Sequence, residues 1–314
     1  MMNITSKDSF TPVNQPEYAQ HFWDYLKGKE GHAQFLDAGN IDGGYQFPTV
    51  DDQKINNDLK EESLFRRIAT RLYSPGAASN IKARMNKDSA TWVAEGAAIP
   101  VYDGLDDFTD YDISDHKLAV VVKLDSEFLH DSKFSFESYL RERLVGNFAR
   151  AEEDGFINGN GTSEPTGILH ETDGAEIGVT AESLTFDSVI DLFFSVDKEY
   201  RKRGIWLMND KTALALRKLK DDAGNYLWDQ GSETILGKPV YISNYMPDAD
   251  AGAKAVAFGD FRYYWVVDRT SLSVQVLRER FFETHQIGYL ATERLDGRLV
   301  RPEAVKVLMV ADEE

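Results

Sequence analysis

The pattern of apolar and polar residues predicts one long amphipathic helix near the middle of the chain. Large apolar side chains recur there every four residues, which places them on one stripe of a helix: Phe136, Leu140, Leu144 and Phe148. Ser135 is a suitable N-cap residue, because its hydroxyl can accept a hydrogen bond from an early helical amide. The turn-forming run Asn158-Gly159-Asn160-Gly161 ends the pattern. We therefore predict a helix over residues 136–157.

Shorter elements of both kinds surround this helix. The periodicity predicts further helices over residues 51–70, from an N-cap at Thr185 to about Tyr200, and over residues 210–219. Apolar runs of strand length precede the long helix once and then follow one another in the second half: 118–122, 205–208, 239–243, 255–258, 262–267, 272–277, 285–293 and 304–310. This order contains no βαβ repeat, so we predict an α+β fold.

Two segments contain too few large apolar residues to build a core of their own. Residues 1–46 carry one short aromatic patch at 18–26, and residues 74–112 alternate polar and apolar side chains like a long hairpin. An excursion of that length from a compact domain needs a structural reason. We expect both segments to pack on a neighbouring subunit. We also expect that removing residues 1–46, or residues 76–110 of the hairpin, would leave a folded protein that cannot assemble.

The composition excludes several functional classes. The chain has 314 residues, of which 53 are acidic and 35 are basic, and its net charge of −18 argues against a broad basic surface for nucleic acid. Cysteine is absent, which excludes disulfides, thiolate nucleophiles and Cys-ligated metal sites. No apolar run is long enough to span a membrane, and the N-terminus MMNITSKDSF lacks the apolar segment of a secretion signal.

Two loops look superficially like ligand sites. The run NGNGTSEPTG at 158–167 resembles a phosphate-binding loop, but it lacks the Gly-Lys-Ser/Thr signature and follows a helix, so a structural turn is the favoured interpretation. An acidic run without EF-hand spacing could ligate calcium, although a solvated strand face explains it more simply: Asp103, Asp106, Asp107, Asp110 and Asp112.

The remaining titratable residues predict no chemistry. None of the histidines forms an H-x-x-x-H pair, which disfavours a zinc site: His21, His32, His116, His130, His170 and His285. Glu152, Glu153 and Asp154 could supply the two carboxylates of a glycoside hydrolase, but a solvated helix face is the simpler interpretation. We therefore predict no catalytic, cofactor-binding or metal-ligating residues and no enzyme activity.

The stretch from SDHKLAVVVKLDSEFLHDS to FINGNGTSEPTGIL resembles the major capsid proteins of tailed bacteriophages, which have the HK97-like fold. The resemblance rests on these matching residues: Lys117, Leu118, Ala119, Glu127, Leu129, Asp131, Ser132, Glu152, Phe156, Gly159, Gly161, Thr162, Pro165, Gly167, Ile168 and Leu169. Phe128, Gly155 and Ile157 depart mildly from the pattern. Looser motifs extend the resemblance over roughly residues 43–310.

The resemblance implies a division of the chain into four parts. Residues 1–46 would be the N-terminal arm, and residues 74–112 the extended loop, or E-loop. The peripheral domain, with its spine helix at about 136–157, would comprise 47–73, 113–184 and 263–296. The axial domain would comprise 185–262 and 297–314.

The function implied is that of a shell subunit made in the bacterial cytoplasm and located in the virion. Copies of the chain would form hexamers and pentamers of an icosahedral head around double-stranded DNA, without binding it specifically and without a cofactor. Scaffold, portal and decoration proteins are possible further partners. The alternatives are an encapsulin-like nanocompartment shell and a soluble hydrolase.

Some members of this family join their subunits by an isopeptide bond between Lys and Asn. The hairpin contains Lys82 and Lys87, but the last asparagine in the chain is Asn244. The strand at 285–293, where the acceptor would fall, contains none. We therefore expect this bond to be absent.

Overall fold

The computed structural model describes residues 11–36, 43–74, 80–84, 90–99, 101, 108–130, 134–229 and 231–311. Its helices are α1 (Pro16–Leu26), α2 (Thr49–Glu62), α3 (Leu64–Ile68), α4 (Phe136–Asn158), α5 (Phe186–Ser195), α6 (Lys198–Arg201) and α7 (Asp210–Lys218). Its strands are β1 (Tyr45–Gln46), β2 (Thr70–Tyr73), β3 (Asn80–Arg84), β4 (Phe108–Asp112), β5 (His116–Asp125), β6 (Glu176–Ala181), β7 (Ile205–Met208), β8 (Thr234–Ile235), β9 (Lys238–Ile242), β10 (Lys254–Gly259), β11 (Tyr264–Leu277), β12 (Gln286–Leu299) and β13 (Val305–Val310). Short 3-10 helices lie at Ala33–Phe35, Ser126–His130, Phe261–Tyr263, Glu279–Thr284 and Pro302–Ala304.

The strands form two sheets and a separate ribbon. The five-stranded sheet has the order β1-β11-β12-β5, with β2 paired parallel to β11. The six-stranded sheet has the order β6-β13-β10-β7-β9-β8. Strands β3 and β4 pair antiparallel with each other as a two-stranded ribbon. The prediction of an α+β fold is therefore confirmed.

Most predicted helices are present, with changes at their ends. Helix α4 extends the predicted long helix by one residue, but Ser135 is not its side-chain cap, because the Ser135 hydroxyl donates to the Ser138 hydroxyl instead. The predicted helix at 51–70 is interrupted at Ser63, where the backbone is extended. Thr185 caps α5 as predicted, through a reciprocal pair of hydrogen bonds with the third helical residue.

The strands differ from the prediction most clearly in two places. The runs at 262–267 and 272–277 belong to one continuous strand, β11, which pairs antiparallel with β12. Strand β6 was not predicted; it is short and half exposed, and it pairs parallel with β13. The proposed division assigns residues up to 184 to the peripheral part, whereas β6 lies at the edge of the six-stranded sheet.

The aromatic patch near the N-terminus packs on its own chain, so its predicted position on a neighbour is wrong. Tyr18, Phe22 and Leu26 on α1 are completely buried in a core that also contains residues of α2, α4 and the five-stranded sheet. The Trp23 indole N–H donates to Asp51 at 2.9 Å. Helix α1 covers an apolar face that α4 and the sheet leave open. Removing residues 1–46 would therefore damage this core, contrary to the expectation from the sequence.

Two further cores lie on the faces of the six-stranded sheet. One joins this sheet to α3 and the end of α4, where Phe65, Phe156 and Tyr264 pack their rings together. The other lies under α5 and α7 and contains Trp206 and Phe258, with ring centroids 4.2 Å apart. The two sheets are thus connected through the end of the long helix.

A buried arginine on α3 joins that helix to three other elements of the fold. Arg66 on α3 donates to both carboxylate oxygens of Glu152 on α4, with its Nε 2.6 Å from Oε2. The guanidinium also lies 3.8 Å from the carboxylates of Glu293 on β12 and Asp268 on β11. The Arg66 and Glu152 side chains are 2% and 0% exposed. The bidentate geometry compensates for the desolvation of both charges.

Glu293 is the second carboxyl of this cluster. Burial raises the pKa of Glu293 well above its ordinary value, and the adjacent negative charge of Glu152 raises it further. The nearby guanidinium of Arg66 opposes both effects only in part. The arrangement therefore favours a protonated Glu293 beside the Arg66–Glu152 contact.

Replacing Arg66 by Met should strongly destabilise the subunit, because it leaves the charge of Glu152 buried without its bidentate partner. We expect the free energy of unfolding to fall by about 3–5 kcal/mol. Arg67→Met, at an exposed neighbouring position, is the matched control and should cost less than about 1 kcal/mol. Urea denaturation of the unassembled subunit measures both, and equal losses would contradict this role of Arg66.

Replacing Glu293 by Gln should alter how stability depends on pH. Because the folded pKa of Glu293 is raised, the folded state keeps a proton that the unfolded chain releases, so stability falls as pH rises above the usual Glu range. Gln cannot release that proton. The stability of the variant relative to the unaltered protein should therefore increase as pH rises above the usual Glu pKa of about 4.3. Glu182→Gln, at an exposed site, is the control, and parallel stability profiles for all three proteins would contradict the prediction.

Candidate assembly surfaces

The β3–β4 ribbon extends into a segment with exposed apolar side chains. Its strands pair from Asn80 opposite Asp112 to Arg84 opposite Phe108. All residues described between the strands are exposed, including Trp92 with no measurable burial. Ile99 and Val101 are 77% and 90% exposed. Exposed apolar side chains concentrated on one projection are characteristic of a surface that association covers.

The base of this hairpin is held firmly against β12 and the residues after it. The Tyr111 hydroxyl donates to the backbone carbonyl of Val300 at 2.6 Å, and the Arg298 guanidinium lies 5.2 Å from the centroid of the Tyr111 ring. The amide of Ser114 donates to Asp296 at 2.6 Å. The hairpin therefore leaves the fold from a fixed position, while none of its described residues between the strands is buried by its own chain.

The glycine-rich run after α4 is a structural turn, as the sequence indicates. The amide of Gly167 donates to the carbonyl of Gly159, and the amide of Thr166 donates to Gly297 on β12. A side chain at Gly159 would lie 2.1 Å from the carbonyl oxygen of Pro165, so only glycine fits there. The side-chain oxygen of Asn160 accepts hydrogen bonds from the amides of Thr162 and Ser163. The turn's amides are thus engaged within the protein and do not form a phosphate cradle.

The acidic run and the hairpin lysines are only partly described. Asp103, Asp106, Asp107 and Lys87 lie outside the described residues. Asp110 is 3.5 Å from the Lys82 ammonium across the ribbon. Strand β12 contains no asparagine, so the hairpin has no asparagine acceptor on this strand.

The histidines are dispersed over the fold. His21 and His32 hydrogen-bond to each other through their Nδ1 atoms at 2.8 Å, and His116 lies 3.5 Å from Asp296. His170 and His285 occupy surface turns, and the His130 side chain is outside the described part. Within the described residues, no three His, Asp or Glu side chains are arranged to hold a metal ion.

The three consecutive carboxylates of α4 have three different partners. Glu152 is bound by Arg66 and buried, so the predicted solvated position is wrong for this residue. Glu153 accepts from the Ser243 hydroxyl at 2.6 Å, and Asp154 accepts from Asn158 at 2.9 Å. Consecutive helical residues point in different directions, so these side chains do not converge on a substrate. No helix of the described residues is long and apolar enough to cross a membrane.

Solved shell proteins share this arrangement. The capsid protein of the native GTA particle is 31% identical, with 80% of this chain and 90% of that chain aligned at a TM-score of 0.67. The Gordonia phage Cozz structure is 14% identical, with 80% of this chain and 87% of that chain aligned at a TM-score of 0.58. The virus-like particle of Pyrococcus furiosus is 14% identical, with 83% of this chain and 98% of that chain aligned at a TM-score of 0.51. The last two similarities concern the fold alone.

Sequence relatives point in the same direction. The major capsid protein of Escherichia phage T5 is 25% identical over 275 residues, which cover 80% of this chain and 58% of that protein. A probable major capsid protein of Mycobacterium phage L5 is 23% identical over 274 residues, which cover 81% of this chain and 76% of that protein. This chain therefore spans little more than half the length of the phage T5 protein.

The family model of phage capsids matches residues 43–310. That range contains both sheets, the long helix and the hairpin, so the match covers the whole architecture except α1 and the chain ends. The fold is the HK97-like capsid fold, and this chain belongs to the phage capsid family.

Proposed function

We propose that this virion capsid protein is the major shell subunit, and that it assembles with copies of itself into hexamers and pentamers of an icosahedral head enclosing double-stranded DNA. The observation that carries the proposal is the hairpin with exposed Trp92, Ile99 and Val101. A fixed base and an apolar extension that its own chain leaves uncovered are suited to binding a second copy. The phage T5 and L5 relatives support the same role.

The parts of the fold suggest a division of labour. The five-stranded sheet with α2, α3 and α4 would form the peripheral domain, and the six-stranded sheet, including β6, the axial domain. The hairpin between β3 and β4 would be the E-loop that lies on a neighbour. Helix α1 would belong to the peripheral core, since its apolar face is buried there.

The charge of the chain suits a container better than a DNA-binding protein. A net charge of −18 per subunit disfavours a lining that grips phosphates. Many cations are already engaged with carboxylates of the same chain, as Lys27 is with Glu137 at 2.6 Å and Arg294 with Asp115 at 2.8 Å. DNA held without strong attachment can enter and leave the shell.

The cargo distinguishes the proposal from its nearest alternative. A nanocompartment shell of the same fold would enclose protein rather than DNA. The Pyrococcus furiosus particle shares the fold at 14% identity, which does not bear on cargo. Scaffold, portal and decoration proteins would be further partners of a phage head.

Replacing Trp92 and Ile99 by Ser should abolish assembly without unfolding the subunit, because both side chains are exposed in the subunit. We expect an unchanged unfolding midpoint and no fast-sedimenting particles in analytical ultracentrifugation. Trp92→Phe, which keeps an aromatic surface, is the control and should assemble. Normal particles from the Ser variant would show that the hairpin does not carry the contact.

Purified particles should contain nuclease-protected double-stranded DNA. Unassembled subunits, by contrast, should bind duplex DNA only nonspecifically, with dissociation constants of about 1 μM or weaker at moderate salt. Agarose electrophoresis after nuclease treatment tests the first statement, and fluorescence anisotropy tests the second. Protein cargo with no nucleic acid would support the nanocompartment, and submicromolar duplex binding would contradict the container model.

A further inference from the structure

Two adjacent segments of the chain have opposite charge. Residues 171–197 contain seven acidic residues and no Lys or Arg: Glu171, Asp173, Glu176, Glu182, Asp187, Asp191 and Asp197. Residues 198–220 contain two acidic residues and eight basic ones: Lys198, Arg201, Lys202, Arg203, Lys211, Arg217, Lys218 and Lys220. A separation this sharp within one domain creates two faces of opposite potential when the segments lie apart in the fold.

The segments do lie apart. Helix α5, in the acidic segment, packs on β6 and β13 at one edge of the six-stranded sheet. Helix α7, in the basic segment, lies beside β9 near the other edge, which ends in β8. The two helices therefore lie on the same face of this sheet, towards its opposite edges.

The outer face of α5 presents two acids and an exposed aromatic ring. Asp187, Asp191 and Phe194 are spaced four and three residues apart, so they lie on one stripe of the helix. All three are exposed, and Phe194 is 65% exposed although Arg201 lies 4.9 Å from its ring centroid. Neither aspartate forms an ion pair with any described residue.

The side of α7 presents a groove lined by both apolar and charged residues and bordered by lysines. A groove of about 370 Å³ lies between α7 and β9, with these lining residues: Asp210, Ala213, Leu214, Arg217, Trp228, Glu233, Val240 and Ile242. Leu214 and Ile242 are 51% and 41% exposed. Lys211 and Lys218 lie on the same stripe of α7 as Leu214, and the Lys211 side chain is 78% exposed despite a 2.6 Å ion pair with Asp248.

We propose that these faces bind each other between copies of the chain. Phe194 of one copy docks in the α7–β9 groove of the next, and its flanking Asp187 and Asp191 lie opposite Lys211 and Lys218. Because the two surfaces are different and lie towards opposite edges of the sheet, the contact is head-to-tail, the type that forms a ring when the rotation between copies closes. This inference rests on the proposed self-assembly and names the contact between neighbouring axial domains.

Charge reversal and exchange test the pairing in the full-length chain. The variant Asp187→Lys/Asp191→Lys and the variant Lys211→Glu/Lys218→Glu should each need at least about tenfold more subunit to assemble, because like charges then face each other. An equimolar mixture of the two variants should recover assembly, since alternating copies pair opposite charges. The chain with all four substitutions should also recover.

The matched control has the same net charge as the chain with all four substitutions, but its reversed lysines lie outside the proposed contact. Asp187→Lys/Asp191→Lys combined with Lys198→Glu/Lys202→Glu reverses Lys198 of α6 and Lys202, which follows that helix, instead of the lysines of α7, and should stay defective. If it assembles as well as the fourfold exchange, or if the reversed variants assemble normally, the proposal is overturned. Failure of the unaltered chain to assemble would instead overturn the proposed function.

Cross-linking gives a readout that does not depend on charge. The chain has no cysteine, so the thiols of Phe194→Cys and Leu214→Cys on separate chains are the only ones present. Oxidation of the assembled mixture should give a band of twice the monomer mass on a denaturing gel, and neither variant alone should give it. Equal dimer bands in the mixture and in the single variants would contradict the head-to-tail contact.

Discussion

The buried contact of Arg66 with Glu152 is the interaction on which the relative positions of the other elements depend. It joins a short helix, the long helix and, through Glu293, the second long strand, across 227 residues of sequence. Charged side chains that are buried away from water are tolerated only when hydrogen bonds of good geometry offset the cost of their desolvation. The geometry between these elements is therefore set narrowly. Phe65 and Phe156 lie on the same two helices as Arg66 and Glu152, and their ring centroids are 5.6 Å apart.

The turn that follows the long helix fixes the end of that helix against the five-stranded sheet. Thr166 bonds both long strands, since its amide donates to Gly297 and its carbonyl accepts from the Tyr264 hydroxyl at 2.9 Å. The close approach of Gly159 to the backbone at Pro165 lets the chain reverse immediately after the helix. The base of the hairpin is likewise fixed against β12, through the contacts of Ser114 with Asp296 and of Tyr111 with Arg298.

Shell formation by such a subunit relies on many weak contacts. An exposed ion pair contributes about 0–1 kcal/mol, so no single surface pair can hold two subunits together. In the proposed assembly, apolar side chains such as Trp92 and Phe194 would add burial that ion pairs lack. Repetition around each proposed ring would multiply both kinds of contact, while the weakness of each one would allow misplaced subunits to leave.

The sequence by itself determined the long helix, the hairpin ribbon, the absence of cysteine chemistry and the motifs of the phage capsid family. Those features depend on residues close together in the chain, such as the four-residue spacing from Phe136 to Phe148. The structure alone decided that α1 is part of the core, that Glu152 is buried with Arg66, and that β6 forms the edge of the second sheet. Each of these depends on contacts between residues distant in sequence, where burial and pairing override the local pattern that made α1 an arm and Glu152 a surface residue.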